Sequence, residues 1–319
     1  MSITNVKFYP ERSRRAKIIV ILGPNASGKS KLAVSLALRL SSGQARKKYG
    51  INGAEIISAD SRQVYKGMDI GTGKITKKEM QDIPHYLLDV ASPKKRFTVA
   101  QYKKLALQSI KKIQRKNKIP IICGGTGFYI QAVADNISIP EVKPDWKLRA
   151  KLEKKSVGEL FSELKKLDPN RAKNIDRYNK RRLIRALEII YKTGKPIQQL
   201  KSEPQFEVLF IGVKKSPAQL KKLIHTRLLR RLKQGMIKEV QNLRKSGLSW
   251  KKIDDFGLEY RWIARYLQKQ ISREQMIYRL QKDIEHYAKR QMTWFKRDKR
   301  INWIKNINQA EELADKLLK

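Results

Sequence analysis

Short apolar runs alternate along the chain with longer stretches in which apolar residues return every three or four positions. The runs are AKIIVIL (16–22), AEIIS (54–58), HYLLDV (85–90), IPIIC (119–123) and EVLFIGV (207–213). Their length and their content of branched apolar residues predict buried strands. Between most of them lie amphipathic stretches such as KSKLAVSLALRL (29–40) and TVAQYKKLALQSIKKIQRKN (98–117), the latter opened by Thr98 as N-cap. Strands alternating with helices predict an α/β fold on a parallel sheet, and phosphate ligands of such sheets sit at the carboxyl ends of the strands.

The alternation stops from PEVKPDW (140–146) to about Pro204, where the pattern is helical with no convincing strand. An all-helical insertion over 140–204 is expected, interrupting a core made of residues 1–139 and 205–319. In the second part of the core, Ser216 followed by Pro217 opens a helical run that Gly247 closes. Ser272 with Gln275 three residues on is a capping box. The helix it opens runs through HYAKRQMTWFKRD towards INWI (301–304) and a final helix.

Composition narrows the class. No segment is long enough to cross a bilayer, and the N-terminal stretch has basic residues without the apolar run of a secretory signal. A single cysteine, Cys123, excludes an internal disulfide framework, and with three scattered histidines it argues against structural zinc. A cytosolic protein is expected. The 72 Lys and Arg against 29 Asp and Glu give a net charge of +43. Self-repulsion on that scale points to a polyanionic partner, although a basic proteome or a saline cytosol would produce the same excess.

The chemistry starts at ILGPNASGKS (21–30). Gly23, Pro24, Asn25, Ala26, Ser27, Gly28, Lys29 and Ser30 form a G-x-x-x-x-G-K-[ST] loop between a strand and a helix. In that motif backbone N–H groups close on phosphate oxygens, the lysine neutralises them and the hydroxyl can ligate Mg²⁺. Most such loops bind ATP or GTP. A kinase or ATPase, however, needs a second acid ending a hydrophobic strand, and IPIIC runs instead into GGTG (124–127). Asp60, ending the AEIISAD strand, is the acid that would lie near the cradle.

Taken in order, GPNASGKS, ISADSRQVYKGMDIGTGK, IPHYLLDV, IPIICGGTGFYIQAV, RRLIRALEIIYKTGKPI and AKRQMTWF resemble the tRNA dimethylallyltransferases, over residues 17 to 304. The resemblance implies a P-loop NTPase-like core whose cradle holds the pyrophosphate of dimethylallyl pyrophosphate. The acceptor would be the exocyclic amine of the adenine just 3′ of a tRNA anticodon, and pyrophosphate would leave with Mg²⁺ bound. It implies that Asp60 is the general base, that Lys29 and an arginine meet the pyrophosphate, and that Thr126 lies against the reacting base.

Contacts to the tRNA anticodon stem-loop are implied at Asp60, Ser61, Arg62 and Gln63, at Thr126, at Arg149, and at Arg181, Arg182, Leu183, Ile184 and Arg185. The phosphate arginine belongs to a helical R-x-x-x-R pair, here Arg227 and Arg231. The helix after it is shorter than in the family, which leaves Arg227, Arg230 and Arg231 as candidates, with Arg231 preferred. Glu285 and FGLEY (256–260) also depart from the family pattern, so altered tRNA docking is expected there. His85 and the Trp294 and Phe295 rings read as structural. Adenylate isopentenyltransferases, which prenylate AMP or ATP, and small-molecule P-loop kinases are the alternatives; the charge and RRLIR favour tRNA. A monomer is expected.

Overall fold

The computed structural model describes residues 15–140, 142–197 and 204–319. They fall into two units, one of 1–135 and 204–319 and one of 136–203. The larger begins with β1 (Ala16–Leu22), α1 (Lys29–Leu40), α2 (Gly43–Tyr49), β2 (Ala54–Ala59) and α3 (Lys77–Met80). It continues with β3 (His85–Tyr86), α4 (Val99–Gln114), β4 (Ile119–Gly124) and α5 (Gly127–Ala134). The smaller unit carries α6 (Trp146–Glu153), α7 (Val157–Leu167), α8 (Pro169–Asn174) and α9 (Lys180–Thr193). The larger resumes with β5 (Phe206–Val213), α10 (Pro217–Lys233), α11 (Met236–Lys245) and α12 (Trp250–Asp255). It ends with α13 (Leu258–Leu267), α14 (Arg273–Phe295), β6 (Ile301–Ile304) and α15 (Ile307–Leu318).

The strands form one sheet in the order β3-β2-β4-β1-β5-β6, and every pair is parallel. Both faces are covered, which is why the strands read as continuous apolar runs. Along β1, Ile18, Val20 and Leu22 enter one core with residues of α4, α5 and α10–α14, while Ile19 and Ile21 enter the other with α1 and α15. Even Glu55, in the middle of β2, is fully buried; Lys116, Lys118 and the Tyr86 hydroxyl donate to its carboxylate.

Three local expectations change. HYLLDV pairs only at His85 and Tyr86, because Leu87 and Asp89 take left-handed backbone (φ 64° and 57°) that ends the extended run. The helix opened by Ser216 breaks into α10 and α11 at Gly235, whose φ of 99° no helix interior accommodates. The helix opened by the Ser272–Gln275 box stops at Phe295, and INWI becomes the outermost strand beside β5.

The smaller unit is all helical and has its own core of Leu152, Leu160, Leu164, Leu183, Ile184 and Leu187. Its helices are capped by the side chains of Asp145, Ser156, Asp168 and Asn179, each accepting a backbone N–H.

Candidate active site

The three central strands β2, β4 and β1 end level with one another: Leu22 and Ala59 are both register partners of Gly124. Three loops therefore emerge side by side, carrying residues 23–28, Asp60–Gln63 and Gly124–Thr126. Their backbones touch. A Cβ on Gly124 would lie 2.1 Å from the Ala59 carbonyl oxygen, and one on Gly125 would lie 3.6 Å from that of Gly23. Thr126 donates its N–H to Ala59 (3.1 Å), and its Oγ1 accepts the Ser61 N–H (3.0 Å). The Thr126 hydroxyl proton remains available to a ligand.

The 23–28 loop spends its early donors on itself. Asn25 N–H goes to Gln291 Oε1 (2.8 Å), Ala26 N–H to Asn25 Oδ1 (2.9 Å) and Ser27 N–H to the Pro24 carbonyl (3.3 Å). The N–H groups of Gly28, Lys29 and Ser30, at the start of α1, have no protein partner among the described residues. Those free donors and the helix dipole make an anion site. Gly28 is needed for its φ of 93°. Lys29 Nζ rests on the Pro24 carbonyl (3.3 Å). Burial lowers its pKa, while Cys123 and Asp60 pull it up and Arg227 and Arg231 push it down. Lys29, Asp60, Arg227 and Arg231 thus share one electrostatic neighbourhood.

Asp60 is fixed by its own loop. Its Oδ1 accepts the N–H groups of Arg62 (2.8 Å) and Gln63 (3.2 Å), leaving Oδ2 with no hydrogen bond from any described residue. Tyr287, on α14 near Asp60 and Arg62, has its hydroxyl pushed up to about 12, chiefly by burial, so it stays protonated. Burial also raises Tyr129 beyond its ordinary range.

The three candidate arginines are placed differently. Arg230 is exposed. Arg231 is buried, with Nη1 donating to Glu259 Oε1 (3.2 Å) and to the Gly71 carbonyl (3.3 Å). Arg227 makes no hydrogen bond with any described residue, and burial together with Arg231 and Arg230 lowers it to about 10. Both guanidiniums flank Gly73, where a Cβ would lie 1.8 Å from Arg231 Nη2 and 3.1 Å from Arg227 Nη2. Arg227 is the open cation and Arg231 the anchored one. Glu259, their buried counter-charge, has its carboxyl raised by burial and drawn down by Arg231.

The residues expected to meet tRNA divide. Arg62 Nε donates to the Phe256 carbonyl (2.8 Å), and Gln63 Nε2 to the carbonyls of Thr72 and Gly73 (3.4 and 3.3 Å), so both side chains brace the site from within. In the helical unit Arg181 and Arg182 are exposed. Leu183 and Ile184, expected among the tRNA contacts, are not surface residues: their side chains are buried in that unit's core and pack there instead. Arg149 and Arg185 both bind the fully buried Glu188. Arg149 Nε and Nη2 donate to it at 2.8 and 2.7 Å, and Arg185 Nη1 at 2.5 Å. Burial would raise the Glu188 carboxyl, but these arginines hold it at about 2.

Gln291 is the site residue that carries no sequence signal of its own, although it sits inside the AKRQMTWF block. It is buried, accepting from Asn25 and donating to the Gly125 carbonyl (2.9 Å), and so clasps two of the three loops to α14. One turn on, Trp294 packs against Gly127, where a Cβ would meet its ring at 2.3 Å. Phe295 is buried, and His85 Nδ1 shares a hydrogen bond with the Ile83 carbonyl (2.7 Å). Glu285 pairs along its own helix, accepting from Gln281 Nε2 (2.9 Å).

Residues 63–298 match the family model described as IPP transferase. A protein of Pelotomaculum thermopropionicum named tRNA dimethylallyltransferase is 38% identical over 314 residues, spanning 96% of each chain. Its namesake from Halothermothrix orenii is 40% identical over 308 residues, 94% of this chain and 89% of that one. Among solved structures, the full-length tRNA isopentenylpyrophosphate transferase of Bacillus halodurans is 33% identical with a TM-score of 0.69, covering 95% of this chain and 97% of that one. A eukaryotic dimethylallyltransferase acting on tRNA is 26% identical with a TM-score of 0.74, covering 94% and 77%. No helix among the described residues is long and apolar enough to cross a membrane.

Proposed function

Because this chain belongs to the IPP transferase family, we propose that it moves the dimethylallyl group of dimethylallyl pyrophosphate onto the exocyclic amine of the adenine 3′ of a tRNA anticodon. The observation that carries the reading is the cradle of Gly28–Ser30 N–H groups, Lys29 and Arg227 facing an acid, Asp60, with one free carboxylate oxygen. A leaving pyrophosphate gains charge that such cations stabilise, and an attacking amine loses a proton that such a base accepts.

The exocyclic amine is a weak nucleophile because its lone pair is delocalised into the ring. Asp60 Oδ2 takes its proton as the new C–N bond forms, a contribution of roughly 10²–10⁴-fold. The allylic C–O bond breaks, and the electron pair leaves with pyrophosphate into the N–H groups, Lys29 and Arg227. Burial and the neighbouring arginines lower the basicity of Lys29 and Arg227, and partly desolvated charges act more strongly on a leaving anion. Reaching the pocket requires the adenine to leave its stack, at a few kcal/mol. On this reading the Thr126 hydroxyl, whose oxygen accepts the Ser61 N–H, meets the extruded base.

Mg²⁺ fits this donor set. No cluster of three His, Cys, Asp or Glu among the described residues could hold a metal unaided. The exposed Ser30 hydroxyl, pyrophosphate oxygens and water are the hard oxygen ligands that Mg²⁺ takes. Bound there, it would neutralise charge on the leaving pyrophosphate. A cytoplasmic monomer is the form this reading implies.

The experiment is a transfer assay with labelled dimethylallyl pyrophosphate and Mg²⁺, in which unmodified tRNA competes with AMP and ATP. Label in tRNA alone is the expected result. Label in AMP would make the protein an adenylate isopentenyltransferase, and ATP hydrolysis without transfer would make the cradle a nucleotide site.

A further inference from the structure

The GMDIGTGK segment (67–74) is held from outside by one carboxylate. Glu239, in the first turn of α11, accepts three consecutive backbone N–H groups: Asp69 and Ile70 on Oε2 (2.8 and 2.6 Å) and Gly71 on Oε1 (3.0 Å). The Tyr260 hydroxyl donates to the same Oε1 (2.8 Å). Successive N–H groups converging in this way form an anion-binding nest. Here a protein side chain is the anion. Gly71 is confined by it, since a Cβ would lie 2.8 Å from the Tyr260 ring and 3.1 Å from Glu239 Oε1.

The carbonyls of the same loop point the other way, into the site. Gly71 O receives Arg231 Nη1, and the Thr72 and Gly73 carbonyls receive Gln63 Nε2. Gly73, at φ 58°, lies directly under the Arg231 guanidinium. Phe256 and Glu259 hold Arg62 and Arg231 from the neighbouring FGLEY segment, which also supplies Tyr260.

We propose that Glu239 is a positioning residue of the transfer reaction. It fills the nest formed by Asp69–Gly71 and fixes the loop whose carbonyls aim Arg231 and Gln63. It also denies a second anion-binding nest to the donor's phosphates, leaving the cradle at α1 as their site. The inference rests on the pyrophosphate reading of that cradle.

The test uses the full chain with Glu239→Ala, Glu239→Gln and Tyr260→Phe. Inorganic pyrophosphate binding, steady-state transfer and backbone hydrogen exchange at residues 69–71 are measured, with and without formate. Glu239→Ala is expected to speed exchange at those amides and to lower kcat/KM about 10²-fold, the scale of a misplaced active-site group. Formate, entering the vacated nest, should recover at least about tenfold of that loss and leave the wild type unmoved. Glu239→Gln and Tyr260→Phe should lose less, and they carry the test if the alanine variant does not fold. Unchanged exchange and kcat/KM in these variants, or a loss in Glu239→Ala that formate does not touch, would overturn the role of Glu239. A wild type that binds no pyrophosphate would strike the proposed donor instead, and the exchange data would still judge the nest.

Discussion

Glu188 ties Arg149 and Arg185 to one buried carboxylate and also accepts the Asp145 N–H (2.7 Å). Breaking a buried pair by removing one partner costs about 3–5 kcal/mol, so Glu188→Gln should destabilise the helical unit by that order. Hydrogen exchange over residues 142–197 of the full chain reads it. The same group sets an acid limit. Its folded pKa of about 2 lies below the usual carboxylate value of 4.5, so its contribution is fully present above the unfolded pKa and is lost as pH falls from 4.5 towards 2. The shift corresponds to about 3 kcal/mol. Exchange in this unit should accelerate over that window in the wild type and much less in Glu188→Gln. Sequence shows arginines at 149, 181, 182 and 185 as one basic group. What divides them is the position of Glu188, which depends on α6 meeting α9.

The elements most legible in the sequence are those whose signal is local. The strand–loop–helix of residues 16–40 follows from an apolar run, a glycine spacing and an amphipathic period, all within one stretch of chain. Caps at Thr98, Ser216 and Ser272 form as their spacing predicts. What was not legible depends on contacts distant in sequence: Gln291 bonds to Asn25 across 266 positions and to Gly125 across 166. The break at Gly235 is local but lies between two amphipathic stretches that read as one helical run.

The level strand ends make a prediction of their own. Gly124→Ala would press a Cβ into the Ala59 backbone at 2.1 Å, where nothing flexible can yield. It should lower stability by about 1–3 kcal/mol, the usual cost of overpacking, and disturb Asp60 one residue on. Gly43→Ala, in helix α2 with open space around the added methyl, is the control and should be neutral or stabilising by about 0.5–1 kcal/mol. Denaturant melts of the two variants measure the contrast.

At the scale of the whole molecule, the charge of +43 becomes a statement about salt. If the surface serves tRNA, affinity should fall linearly with salt on log–log axes, by about 0.7–0.9 per neutralised phosphate. Arg182→Ala, removing one exposed cation, should weaken every tRNA alike and reduce that slope by about one phosphate's share. Filter binding across a salt series checks both.

Asp60, a single carboxylate just beyond the end of β2, is the group proposed to take the proton from the acceptor amine. Single-turnover transfer by Asp60→Ala, with tRNA and donor affinities measured separately, tests it most directly. A fall of at least about 10²-fold in the transfer step is expected, with both affinities nearly unchanged. Transfer at close to the wild-type rate would contradict it.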